Sequence, residues 1–124
     1  MPVRRAMVAY RTEGLNCAQS ILRAFQPERG IPENAVQQAG QLGGGRAESG
    51  RCGALHAALQ LADDEATRDH LRKRFVAKAG SERCREIRKC RRLTCEQCVE
   101  LAATVLTECQ RVGSEDRQSR RRGR

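Results

Sequence analysis

At 124 residues the chain is long enough for one domain with a modest core. Apolar residues make up 39% and aromatics only 2%, so the core must come from Leu, Ile, Val, Ala and Cys. That excludes an ordinary sandwich or barrel, which draws on β-branched and aromatic side chains, and gives an all-α expectation. The net charge of +9 rests almost wholly on arginine, which favours acidic partners, nucleic acid or anionic lipid.

The first predicted helix covers 3–13, with Ala6, Met7 and Tyr10 on one face and Gly14 as its stop. Asn16 is a good N-cap for a second helix, whose Cys17, Ile21, Leu22 and Phe25 form one buried stripe. Pro27, Gly30 and Pro32 mark the loop after it. A third helix is expected from about Glu33 to Leu42. The glycine-dense stretch 43–50 then leads into a fourth, over about 51–62, that buries Cys52, Leu55, Ala58 and Leu59.

Asp64 caps a fifth helix ending near Gly80, with Leu71, Phe75 and Val76 as its apolar positions. Ser81 starts a short sixth helix through about Arg88, and Thr94 caps the last, which carries Cys95, Cys98, Val99, Ala102, Leu106 and Cys109 on one face. The expectation is therefore a compact bundle of about six or seven short helices over 1–112. Residues 113–124, with Arg117, Arg120, Arg121, Arg122 and Arg124, read as a disordered basic tail. Such a tail is solubilising, or attaches nonspecifically to nucleic acid or an acidic partner.

Seven cysteines are many for this length. No apolar h-region of a signal peptide opens the sequence, and no run is long enough to span a membrane. The expected compartment is the reducing cytoplasm, where cysteines serve as metal ligands or working thiols. Cys52, between a glycine loop and a helix start, is expected to be the most acidified sulfur, since N–H donors and the helix dipole favour its thiolate.

The ordered set is more telling than any one cysteine. Asn16-Cys17-Ala18-Gln19-Ser20 comes first, then a glycine run ahead of Gly50-Arg51-Cys52-Gly53-Ala54. Phe75 and Gly80-Ser81-Glu82-Arg83-Cys84-Arg85-Glu86-Ile87 follow, and Cys95 opens an apolar helix. This arrangement resembles the C_GCAxxG_C_C family of redox-active proteins, named for its signature, over nearly the whole body of the chain. The resemblance implies a mainly helical domain, a redox role, frequent association with transporter genes, and four characteristic cysteines at Cys17, Cys52, Cys84 and Cys95. One position departs from the signature: the glycine that closes CGAxxG is Ala57 here. If that glycine serves close packing, alanine is a mild change; if it makes room for a cofactor, binding suffers.

The residues themselves leave several chemistries open. Four converging thiolates can act catalytically as a dithiol–disulfide system, or hold an iron–sulfur cluster or zinc. A binding module whose cysteines only pack the core is the alternative of another class. Cys90-x4-Cys95-x2-Cys98 has ferredoxin-like spacing, but a helix capped at Thr94 makes Cys98 an incidental neighbour of Cys95. Cys90 reads as an exposed thiol, Cys109 as a small core hydrophobe and His70 as solvated. His56 shares a helical face with Cys52 and reads as packed or partly exposed. The glycine loop lacks the G-K-[ST] ending of a phosphate loop, so a turn and close-packing role is expected for it.

Overall fold

A computed structural model describes residues 2–41, 50–90 and 93–122, with side chains through residue 109. Seven α-helices and no strand occur among the described residues: α1 (Pro2–Thr12), α2 (Cys17–Arg29), α3 (Glu33–Gln38), α4 (Gly53–Leu61), α5 (Glu65–Ala79), α6 (Cys84–Cys90) and α7 (Cys95–Arg122). A 3-10 turn, Ala39–Gln41, follows α3. The glycine loop falls on residues 42–49, outside the described residues, apart from its last member. That member, Gly50, sits at φ 74, a left-handed conformation that glycine adopts without steric cost.

Three of the seven helix starts are set by local capping chemistry. Asn16 accepts a hydrogen bond from the Gln19 N–H at 2.8 Å while the Gln19 side chain accepts from the Asn16 N–H at 3.0 Å, a reciprocal capping box. Thr94 and Gln97 repeat the device at the start of α7, and Asp64 accepts from the Thr67 N–H ahead of α5. Asn16 does more than cap. Its Nδ2 donates to the carbonyls of Ala39 and Gly40, fixing the start of α2 against the 3-10 turn. Asn16→Ala is therefore expected to cost about 2 kcal/mol, a cap plus cross-chain bonds, read as a lower urea midpoint.

Four boundaries differ from the sequence expectation, the first being the end of α3, at Gln38 ahead of the 3-10 turn and not near residue 42. Pro27 lies inside α2; its missing donor is confined to the last turn, which Gly30 closes by donating to the Gln26 carbonyl at 2.9 Å. Helix α6 begins at Cys84, not Ser81, because Arg83 just before it is paired with Arg51 in an isolated antiparallel bridge. Helix α7 continues through Arg122, past Gly113, where composition suggested unstructured chain. The Glu, Gln and Arg residues there are good helix formers.

Helix α7 packs against α1, α2, α4 and α5, and α2 packs in turn against α1 and α4. Phe25, Phe75, Ile21, Leu55, Leu71, Val99 and Leu106 are the large side chains buried between them. Alanines at 54, 57, 58, 102 and 103 are wholly buried, and their small size lets helix backbones approach closely. Ala57 thus occupies a packing position, in line with the mild reading of its departure from glycine.

Candidate functional site

Each of the four expected site cysteines opens a helix. Cys17, Cys84 and Cys95 are the first residues of α2, α6 and α7, and Cys52 is the N-cap of α4. The bundle turns these starts toward one another. Cys17, Cys52, Cys84 and Cys95, together with Cys98, Ile87, Arg88 and Leu93, line a single cavity of about 20 Å³, room for about one water. Two chain crossings hold its floor. The Cys52 N–H donates to the Glu82 carbonyl at 2.7 Å, and Arg51 pairs with Glu82 at 3.4 Å, so the segments leading to Cys52 and Cys84 are tied together.

The sulfurs are arranged in depth. Cys52 and Cys98 are 5% and 3% exposed, whereas Cys17 and Cys95 are half-buried. The thiol of Cys52 neighbours those of both Cys17 and Cys98, and each pair is coupled in its ionisation. The Ala18 and Ala54 N–H groups favour the thiolate of Cys17, and the Leu55 N–H that of Cys52, although Cys52 closes no cap hydrogen bond.

These donors do not prevail. Cys17 pulls Cys52 down, but Cys98 and burial outweigh it and push the thiol up to about 12. Cys17 is held well above the ordinary thiol range, chiefly by Cys52 and then by burial. The expectation that Cys52 is the most acidified sulfur is therefore overturned: a helix start supplies donors, yet a dry neighbourhood of other thiols disfavours charge.

Among the described residues that line the cavity the one cation is Arg88, which sequence reasoning passed over. Its Nη2 donates to Cys95 Sγ at 3.7 Å. Cys95 foremost, then Cys84, raise the affinity of the guanidinium for its proton. Burial raises Cys84 and Arg88 opposes it. Arg88 follows Cys84 by one helical turn on α6, the spacing that puts both on one face; that was the available signal. Tyr10 is also near, since Cys95 and Cys17 both add to the upward shift that burial gives its phenol. Arg11 and Glu96 form an ion pair that joins α1 to the first turn of α7 beside it.

Other candidates lie elsewhere. His56 and Cys90 are not among the residues lining the cavity; Cys90 is exposed and Cys109 is half-buried at the edge of the core. Cys95 and Cys98 are helical, so the looped backbone of a ferredoxin ligand set is not formed. No group of three or more His, Cys, Asp or Glu side chains is disposed to hold a metal ion among the described residues. In this conformation a cavity of one water's volume does not fit an iron–sulfur cluster.

The family described as "Putative redox-active protein (C_GCAxxG_C_C)" matches residues 15–109, from just before the Asn16 cap to the last cysteine. The chain belongs to this family. The C_GCAxxG_C_C match spans every helix that contributes a cavity cysteine. No curated protein and no solved structure matches the chain.

Arg88 gives the site its asymmetry. A thiolate forming at Cys95 has a guanidinium partner, and the inner sulfurs have none. Arg88→Gln is expected to slow alkylation of Cys95 by iodoacetamide at pH 7.5 about three- to tenfold. Rates at Cys90, measured by mass spectrometry in the same sample, should not move.

Proposed function

We propose that the protein is a thiol–disulfide module in which Cys17, Cys52, Cys84 and Cys95 exchange electron pairs with a disulfide-bearing partner. The observation that carries this reading is the shared cavity, lined by all four cysteines and by Arg88, which donates to Cys95. The Cys95 thiolate attacks the partner's disulfide, forming a mixed disulfide and releasing one partner thiolate. Cys17 or Cys84 then attacks Cys95 Sγ, the second partner thiolate leaves, and the two protein thiol protons pass to the two thiolates. Exchange moves the new bond inward to Cys17–Cys52. The protein has lost two electrons and the partner has become a dithiol. Arg88 donates to the attacking sulfur, Cys95. The reading calls for a reducing compartment such as cytoplasm, where disulfides are transient. Residues 1–112 carry it, with 113–124 as an accessory basic segment.

The test is anaerobic purification with metal analysis, followed by one equivalent of oxidised glutathione and disulfide mapping. The expected result is loss of two thiols per chain, paired among the cavity cysteines, in protein without stoichiometric metal. Seven persistent thiols, or stoichiometric iron or zinc that protects the cavity cysteines, would overturn the proposal. The 1–112 fragment should behave as the full chain does.

A further inference from the structure

Cys98 is a cavity cysteine outside the four-cysteine signature, and the spacing of the sequence made it incidental. Its place in the fold is different. It lies one turn inside α7, with its N–H donating to the Thr94 carbonyl at 2.9 Å, and it is 3% exposed. It lines the cavity, and its thiol neighbours that of Cys52. Cys109, further along α7, offers an internal contrast. It is half-buried at the edge of the core, with Glu108, Arg74 and Asp64 as its charged neighbours and no thiol among them. Two cysteines of one helix therefore have different surroundings, and only Cys98 meets another working sulfur.

A thiol used as packing needs apolar neighbours. A thiol used in exchange needs a sulfur on which to attack, with a leaving sulfur beyond it. Cys98, Cys52 and Cys17 line one cavity, and Cys52 is the common neighbour of the other two.

We propose that Cys98 is a fifth working thiol, which takes over the Cys52 sulfur from Cys17 and stores the disulfide between two buried cysteines. This rests on the thiol–disulfide reading above. Cys98 gives up its proton and attacks Cys52 Sγ. The Cys52–Cys98 bond forms, the Cys17–Cys52 bond breaks, and Cys17 leaves as a thiolate that takes up the proton. No electrons are gained or lost in this step, so it needs no further oxidant; the first disulfide came from the partner. With both of its sulfurs buried, the Cys52–Cys98 bond is shielded from soluble thiols until exchange returns it to the half-buried Cys17.

The experiment is disulfide mapping by mass spectrometry over time, after oxidation of the full chain with one equivalent of oxidised glutathione and acid quenching. In the wild type Cys17–Cys52 is expected first and Cys52–Cys98 later, at constant total thiol loss. Cys17→Ala should still pair Cys52 with Cys98, and adding Cys98→Ala should remove that pair. The wild-type time course decides the matter even where a variant fails to fold. If Cys17–Cys52 forms and Cys98 stays a free thiol throughout, or pairs only with Cys95, this inference falls while the module reading stands. If no thiols are lost at all, both fall together.

Discussion

In Cys52→Ala, the oxidised state is expected to become readily reducible. After one equivalent of oxidised glutathione, wild-type disulfide should reside mainly at Cys52, which is 5% exposed. Without Cys52 the bond can rest only among Cys17, Cys84, Cys95 and Cys98, and every such pair but Cys84–Cys98 includes a half-buried sulfur, Cys17 or Cys95. Reduced glutathione must reach a sulfur to attack it, so recovery of free thiols should be tenfold faster or more in the variant. The measurement is the rate of thiol recovery on adding reduced glutathione, with Cys90→Ala as the surface control. Equal rates in wild type and Cys52→Ala would mean that Cys52 never holds the bond. The substitution removes only a sulfur from a site with small neighbours, and a stability cost of about 1 kcal/mol is expected, so loss of fold does not confound the rate.

The parts of this molecule that were legible in the sequence are those fixed by near neighbours. Asn16 and Thr94 cap helices because a Gln stands three residues on in each case, and Asp64 does so through the Thr67 N–H. The scarcity of aromatics made helices the natural way to build a core, and Ala54, Ala57 and Ala58 are buried as their size predicts. What brings Cys17, Cys52, Cys84 and Cys95 to one cavity is long-range. It depends on α2 crossing α4 and α7 and on the bridge from Arg51 to Arg83, and no spacing along the chain encodes either. The reading of Cys52 as acidic failed for the same reason. Its local donors were foreseen, but its burial against Cys17 and Cys98 belongs to the tertiary structure. Tyr10 was visible as one apolar position of α1, and Arg88 was one arginine among many. Only the fold sets them beside the sulfurs.

Reduced protein is expected to lose stability steeply in mild alkali. The sign follows from the buried thiols. An unfolded cysteine ionises near pH 8.5, whereas Cys52 in the fold is pushed up to about 12 by its neighbour Cys98 and by burial, against the pull of Cys17. Cys17 is raised as well, chiefly by Cys52. Between these limits the native state holds protons that the unfolded chain has released, so each pH step favours unfolding. Below about pH 8.5 both states are protonated and the contribution is flat. Above it the folding equilibrium should fall by up to roughly tenfold per pH unit for each raised thiol, until the folded value is reached. Burial raises Tyr10 too, which adds in the same direction above its unfolded value. Urea midpoints under reductant at pH 7.5, 9 and 10.5 would measure the slope. Cys17→Ala with Cys52→Ala should flatten most of it, because the groups that resist ionisation are gone. A midpoint unchanged up to pH 10.5 in the wild type would mean that the inner sulfurs ionise as freely in the fold as outside it, and the dry cluster of thiols on which the exchange chemistry depends would not exist in solution.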